Sequence, residues 1–219
     1  MGRTITMLPA DERGGVLVEA TVMLVIFFVF VLGSVDFLMA MYQWNAATKA
    51  VQLGGRIASV SSPVSSDLSG LTGLEGGANL GVDPFPYFIR TCNGATASCS
   101  GGTFNQAALD TIVLGRPAAA CAGNPSVYCT GMREVFPRIQ PANVVITYEQ
   151  TGLGYAGRPG PAPTAVPPEP GGPVPTITVA LQNLPFQFFF LGGLMGFGNI
   201  NIPVMTTTTG EDLSSSAQP

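Results

Sequence analysis

The chain has 219 residues, a net charge of −4 at neutral pH and only 10% charged residues, where soluble domains average about 25%. A charge-poor, acidic chain lacks the basic surface that nucleic acids require, which excludes nucleic-acid binding as a function class. The sequence contains no histidine, and this rules out Ser-His-Asp triads, His-activated cysteines and histidine metal ligands. We therefore expect no enzyme: no catalytic residues, no metal and no cofactor.

A long apolar segment dominates the first part of the chain, at residues 16–42. Sixteen uncharged residues separate Glu19 from Asp36, a length of about 24 Å as a helix, and the whole segment would extend about 40 Å against a hydrocarbon core of about 30 Å. A carboxylate at mid-bilayer costs at least about 3 kcal/mol, so Glu19 and Asp36 are expected near opposite membrane interfaces. The segment is predicted to cross a membrane once.

The helix is predicted to continue beyond the membrane. Apolar or small residues recur at helical spacing over residues 46–58, and no proline interrupts them. We predict one helix over residues 15–59 whose alanines and glycines let another element approach closely. The alternative is that Gly54 and Gly55 end the helix early.

The residues before Glu19 carry a processing motif. Arg13, the pair Gly14 and Gly15, and the apolar residues up to Glu19 resemble a class III prepilin signal. The resemblance implies that a prepilin peptidase cuts between Gly14 and Gly15 on the cytoplasmic side, which removes residues 1–14 as a leader. The resemblance also implies that Glu19 becomes residue five of the mature chain and neutralises the new α-amino group of a neighbouring subunit during assembly. A secretory signal peptide is the alternative, but its apolar core is usually only 7–15 residues long.

Residues 12–60 resemble the N-terminal module of the TadE-like family, pseudopilins of the tight adherence (Tad) pilus machinery. The matching features are Gly-x-x-x-Glu-Ala at residues 15–20, the pair Asp36-Phe37 late in the span, and the alanine-rich continuation that ends at residues 55–58. The resemblance implies a minor pilin as the function. It implies as partners a prepilin peptidase, other pilins, Tad pilus assembly proteins and the lipid of a bacterial inner membrane. Asp36 and Phe37 are expected at the membrane interface.

The charges do not orient the segment, because two basic residues precede it and two follow it among residues 3–56. The cysteines do. All four follow the apolar segment, outside any CxxC pattern: Cys92, Cys99, Cys121 and Cys129. Disulfides in an oxidising compartment are the expected state, with Cys92–Cys99 and Cys121–Cys129 as the local pairs among three possible pairings. The N-terminus is then cytoplasmic and the C-terminal region periplasmic, or on the cell surface after assembly.

The remaining chain, residues 61–209, is predicted to form a loop-rich head. A loop covers residues 61–83, and residues 84–138 hold the two cysteine loops around a helix at 104–114. Strands are predicted at 142–150, 176–182 and 201–209. A proline-rich insertion covers 157–175 and a disordered polar tail 210–219.

The stretch LPFQFFFLGGLMGFG at residues 184–198 has no charge and is too short to span a membrane as a helix. It is either a helix or turn packed on the sheet or a face that touches the membrane or a partner subunit. The predicted fold is α+β and pilin-like: one long N-terminal transmembrane helix that extends beyond the bilayer, and a small antiparallel sheet with disulfides.

The sequence therefore favours a minor pilin or pseudopilin that is cut by prepilin peptidase and joins or assists a Tad pilus for adhesion. A type II secretion pseudopilin and a larger structural pilin are alternatives of the same fold. From another class, the chain could be an uncleaved single-pass anchor that displays a disulfide-linked binding domain. The match to GxGxxG at residues 152–157 is a chance match, because the prolines that follow it cannot open the helix that holds a pyrophosphate.

Overall fold

The computed structural model of the protein describes residues 12–71, 87–116, 130–151, 174–190, 192–193, 196 and 200–210. The first element is helix α1, Glu12–Ser59, 48 residues long. The prediction of one continuous helix is confirmed, and Gly54 and Gly55 do not end it. Their lack of a side chain serves close packing instead.

By their contacts, the described residues fall into two compact units. The first, here the anchor unit, lies within residues 1–41 and 187–198, and the second, the head unit, lies within 42–186 and 199–219. Helix α1 therefore contributes to both. The apolar stretch at 184–198 is also divided, since Leu184 is buried in the core of the head while Gln187 and the residues after it belong to the anchor unit.

The head unit contains a five-stranded antiparallel sheet in the order β2-β1-β3-β4-β5. The bounds of its strands are β1 Ile89–Asn93, β2 Ser98–Cys99, β3 Val144–Glu149, β4 Thr176–Leu181 and β5 Met205–Thr209. Burial alternates along β3 and β4, as in a sheet with one face on a core. The predicted α+β fold with an antiparallel sheet is confirmed, and each of the three predicted strands is present.

Two strands were not predicted. Strands β1 and β2 form a hairpin in which Cys92 pairs with Cys99, and a disulfide joins the two side chains. The pair Cys92–Cys99 is therefore present, but in a sheet rather than in a loop, because residues 94–97 form a turn that brings the two strands together. Cys121 and Cys129, the proline-rich residues 157–173 and the tail after residue 210 lie outside the described residues.

The described part of the head also contains two short α-helices. Helix α2, Gln106–Leu114, confirms the helix predicted at 104–114, and its first turn is capped by the Asn105 side chain, which accepts from the Ala108 N–H at 3.2 Å. Helix α3, Met132–Val135, is a single turn. Both helices contribute buried residues to the core that also contains β3 and β4.

One face of α1 enters this core through small residues. Ala47, Ala50 and Val51 are fully buried, and a Cβ atom built on Gly55 would lie 3.0 Å from the Thr206 methyl carbon of β5. At Gly54 a Cβ atom would lie 2.5 Å from the Met132 sulfur. The helix therefore packs closely on the sheet and on α3, as its small-residue face predicts.

A buried tyrosine connects the sheet to the segment that follows α1. Tyr148 is fully buried in β3, and its hydroxyl oxygen accepts a hydrogen bond of 3.0 Å from the Val64 N–H. Burial raises the pKa of Tyr148, because the phenolate would lose its hydration, although the Val64 N–H partly offsets this. A buried backbone donor at Val64 thus has one specific acceptor.

We expect Tyr148→Phe to lower the free energy of unfolding of the head by about 1–3 kcal/mol, because the Val64 N–H would remain buried without its acceptor. Denaturant unfolding of the full chain in detergent, followed by circular dichroism, measures this. Tyr87→Phe is the matched control, since Tyr87 is 68% exposed. Equal stability of the two variants would contradict the role of this hydrogen bond.

The same experiment has a pH dependence. The folded state keeps the Tyr148 proton to higher pH than the unfolded chain, so the stability linked to this group is complete below the unfolded pKa of about 10 and is lost as the pH rises above it. The Tyr148→Phe variant should lack this part of the alkaline loss.

We also expect Gly54→Val to destabilise the head by about 1–3 kcal/mol, because the new side chain must displace the fully buried Met132. Gly33→Val is the control, since nothing lies within 4 Å of a Cβ atom built there. Thermal melting of both variants in the same detergent measures the difference. A head that melts at the same temperature in both would show that the core adapts to the larger residue.

Candidate functional site

The described part of the anchor helix presents apolar side chains around its whole circumference. From Val22 to Val31 every large apolar side chain is between 38% and 75% exposed, and ten consecutive residues cover almost three turns. Helix α1 is long and apolar enough to cross a membrane, with a mean hydropathy of 2.7 in its most apolar window. A helix that is apolar on every side needs an apolar surrounding.

Few polar side chains interrupt this surface, and two of them bond to the helix itself. The Thr21 hydroxyl donates to the Val18 carbonyl at 2.8 Å, and the Ser34 hydroxyl donates to the Phe30 carbonyl at 2.9 Å. Such bonds satisfy a hydroxyl group where water is absent. Glu19 differs, because its side chain is exposed and accepts no hydrogen bond from any residue that the structure describes.

Asp36 is the second carboxylate of the anchor, and it is fully buried. One carboxylate oxygen accepts a hydrogen bond of 2.8 Å from the Phe189 N–H, and the other accepts one of 2.9 Å from the Phe190 N–H. Phe37, the next residue on the helix, is 64% exposed. The pair Asp36-Phe37 thus presents an aromatic side chain outward and bonds its carboxylate to another part of the anchor unit.

The partner of Asp36 is the segment 187–190, here called the aromatic turn. Its two donors, Phe189 and Phe190, are 67% and 43% exposed, so their amides point at Asp36 while their rings remain accessible. Two adjacent N–H groups that converge on one carboxylate form an anion-binding arrangement. Charge-assisted bonds of this kind are stronger than neutral ones.

In the head unit, Arg138 joins α1 to the residues just before the aromatic turn. Its guanidinium donates to the Gln43 side-chain oxygen at 2.7 Å and to the Pro185 carbonyl at 2.8 Å. Partial burial lowers the pKa of Arg138 from its ordinary value, although an arginine stays charged in proteins. Gln43 is 4% exposed, so a buried polar residue of the helix is bonded to a charged donor.

The predicted processing residues lie at the start of α1. Gly14 and Gly15 are inside the first turn of a helix that begins at Glu12, three residues before the predicted start at residue 15. Nothing lies within 4 Å of a Cβ atom built on Gly15. The first-turn N–H groups of a helix have no partner within it, so this is the part of the helix that opens most easily.

The described residues contain no group of three or more His, Cys, Asp or Glu side chains that could hold a metal ion. The ion pair between Arg90 and Asp67, 2.8 Å long, connects the 3-10 turn Ser66–Gly70 to β1. Asp67 also accepts from the Ser65 hydroxyl. These charges stabilise a loop. The candidate functional site is therefore the contact between Asp36 and the aromatic turn in the anchor unit.

Sequence reasoning located Asp36 but missed its partner. The relevant signal was the charge-free stretch at 184–198, which was expected to pack on the sheet or to touch the membrane or a partner subunit, and not to bond to Asp36. Backbone amides carry no sequence signature, so a contact between a carboxylate and the N–H groups of Phe189 and Phe190 has none either. The Arg138–Gln43 bond was likewise missed, since the two residues are 95 positions apart.

Comparison with known proteins covers the first part of the chain. Neither the curated proteins nor the solved structures gave a match. The family model described as TadE-like protein matches residues 14–56, which include the Gly14-Gly15 pair, Glu19 and Asp36. The resemblance to the TadE-like family inferred for residues 12–60 is thereby confirmed over residues 14–56.

Proposed function

We propose that this chain is a membrane-anchored minor pilin or pseudopilin of a Tad pilus. The TadE-like match over residues 14–56 supports a pilus-associated role and an association with other pilus components. The long helix α1, with an exposed apolar surface on one part and a packed head on the other, is the architecture that a pilin subunit requires.

Processing is part of the proposal. A prepilin peptidase removes residues 1–14, and the mature chain begins at Gly15. The N-terminus is cytoplasmic before the cut and the head is periplasmic, in keeping with a disulfide between Cys92 and Cys99 that requires an oxidising compartment. The head then moves to the pilus or cell surface, where it assists adhesion.

One observation carries the assembly role: the Glu19 carboxylate is exposed, and none of the residues that the structure describes bonds to it. A charge in an apolar layer needs a partner of opposite sign. Glu19 lies one helical turn after Gly15. In a packed filament it meets the cationic α-amino group of the neighbouring subunit.

A second candidate function is an uncleaved single-pass anchor that displays the head as a binding domain. The observation that favours it is that α1 begins at Glu12 and continues through Gly14 and Gly15. A peptidase must open this turn before it can cut. Cleavage by the prepilin peptidase therefore distinguishes the pilin from the permanent anchor.

We expect the chain isolated from native membranes to begin at Gly15 and to contain 205 residues, since 14 of the 219 are removed. N-terminal sequencing and intact mass measure this in cells with and without the prepilin peptidase. A start at Gly15 that is lost without the peptidase supports the pilin. An unprocessed start in both strains refutes it in favour of the permanent anchor.

We expect Glu19→Ala to leave cleavage largely intact and to reduce incorporation into pili at least about tenfold, which corresponds to losing about 1.4 kcal/mol of an ion pair. Immunoblots of membranes and of sheared pili measure the two steps separately. Thr21→Ala is the control, because that hydroxyl bonds only within its own helix. Equal loss of cleavage in Glu19→Ala would contradict the assignment of this residue to assembly.

A further inference from the structure

The aromatic turn combines two properties that are rarely found together on a water-exposed surface. Phe189 and Phe190 expose their rings, and the surrounding stretch 184–198 contains no charged residue. Large exposed apolar patches mark sites of membrane or partner contact. Three features of the anchor unit favour contact with the membrane over contact with a partner protein.

The first argument is that the polar groups around Asp36 are hydrogen-bonded to one another. A carboxylate on an apolar helix costs free energy unless it is bonded, and backbone N–H groups in an apolar layer cost several kcal/mol unless they are bonded. Asp36 and the N–H groups of Phe189 and Phe190 satisfy one another at 2.8 and 2.9 Å. The carboxylate thus lowers the free-energy cost of moving the two N–H groups out of water, and the N–H groups lower that cost for the carboxylate.

The second argument is depth. Asp36 is 20 residues after Val16, which is about 30 Å along a helix and equals the thickness of a hydrocarbon core. The hydrogen bonds hold the aromatic turn beside the helix at this level. Its rings are therefore at the boundary between hydrocarbon and headgroups, where aromatic side chains are favoured.

The third argument is the extent of the apolar surface. The helix is exposed around its circumference before Asp36, and Phe37 and Leu38 after it are 64% and 67% exposed. A partner helix covers one side of such a surface, whereas lipid covers all of it. The aromatic turn belongs to the same compact unit as this helix.

We propose that the aromatic turn inserts its phenylalanine rings into lipid at the membrane face reached by the C-terminal end of the spanning segment, and that Asp36 holds it there. This inference rests on the proposed crossing of the membrane by α1. It gives the subunit a second, shallow membrane contact, 153 positions after Asp36 in the chain. Lipid acyl chains and headgroups are the ligand.

The test uses fluorescence of single-tryptophan variants of the full chain in lipid vesicles. Trp44, the one native tryptophan, is replaced in Trp44→Phe. In that background Phe189→Trp reports on the aromatic turn, Val25→Trp on the middle of the anchor and Tyr87→Trp on the exposed surface of the head. Phosphatidylcholine brominated at shallow or deep acyl positions is the quencher.

We expect Phe189→Trp to emit at a shorter wavelength than Tyr87→Trp and to be quenched more by shallow than by deep bromine atoms. Val25→Trp should show the opposite order, and Tyr87→Trp should not be quenched. Emission from Phe189→Trp that is shifted to short wavelength but not quenched would mean that another copy of the chain covers the turn. Long-wavelength emission would place the turn in water. Either result overturns the proposal.

Asp36→Asn tests the holding role. Its amide group turns one donor toward the N–H groups of the aromatic turn, so we expect weaker quenching of Phe189→Trp, while Ser34→Ala leaves quenching unchanged. Unchanged quenching in Asp36→Asn would overturn the role of Asp36. Because the vesicles contain neither peptidase nor pilus, these outcomes are independent of processing. Loss of quenching at Phe189→Trp alone refutes this inference, and its loss at Val25→Trp as well refutes the membrane-spanning anchor.

Discussion

The anchor unit depends on one requirement, that a carboxylate within an apolar helix must have hydrogen-bond donors. Asp36 meets it with two backbone N–H groups from residues 153 and 154 positions later in the chain. Arginine or lysine would bring a counter-charge but also a second ion to desolvate. Backbone amides bring only dipoles, and the two N–H groups gain a partner in return. The aromatic side chains on those amides remain apolar and accessible, so polar satisfaction and an apolar surface are provided by the same two residues.

In the head unit the constraint is different, because the face of α1 that joins the core consists largely of small residues. Ala47, Ala50, Gly54 and Gly55 provide little apolar area each, but they let the sheet and α3 approach the backbone of α1. Dispersion contacts increase as surfaces approach, and close packing compensates for small side chains. Arg138 adds a charged donor to the side-chain oxygen of Gln43, a buried amide. Small residues and one buried polar bond thus define the head end of the helix.

The elements with a periodic pattern were predictable from the sequence, and the elements made by long-range contacts were not. Helix α1, helix α2 and strands β3 to β5 follow apolar periodicity or β-branched composition. Strands β1 and β2 were interpreted as loop, because Asn93, Gly94 and Ala95 have low strand propensity. Pairing of β1 with β3 and the disulfide across the hairpin override that preference. In the site, Glu19 and Asp36 were identified as the two charges in an apolar segment. The donors to Asp36 were not, since an amide N–H is common to nearly every residue.

The two carboxylates of the anchor unit differ in their hydrogen bonding, and this difference is relevant to the proposed assembly of the subunit. Asp36 accepts its hydrogen bonds from its own chain, so it requires no donor from a neighbouring subunit. Glu19 is exposed, and the described residues offer it no donor, so in the proposed pilin its partner must come from another subunit. A charge that is hydrogen-bonded within its own chain stabilises the monomer, whereas a charge that finds a partner only on another subunit favours association. In the proposed pilin, this division would place the driving force for assembly near the N-terminal end of the helix, where the proposed cleavage creates the cation that Glu19 requires.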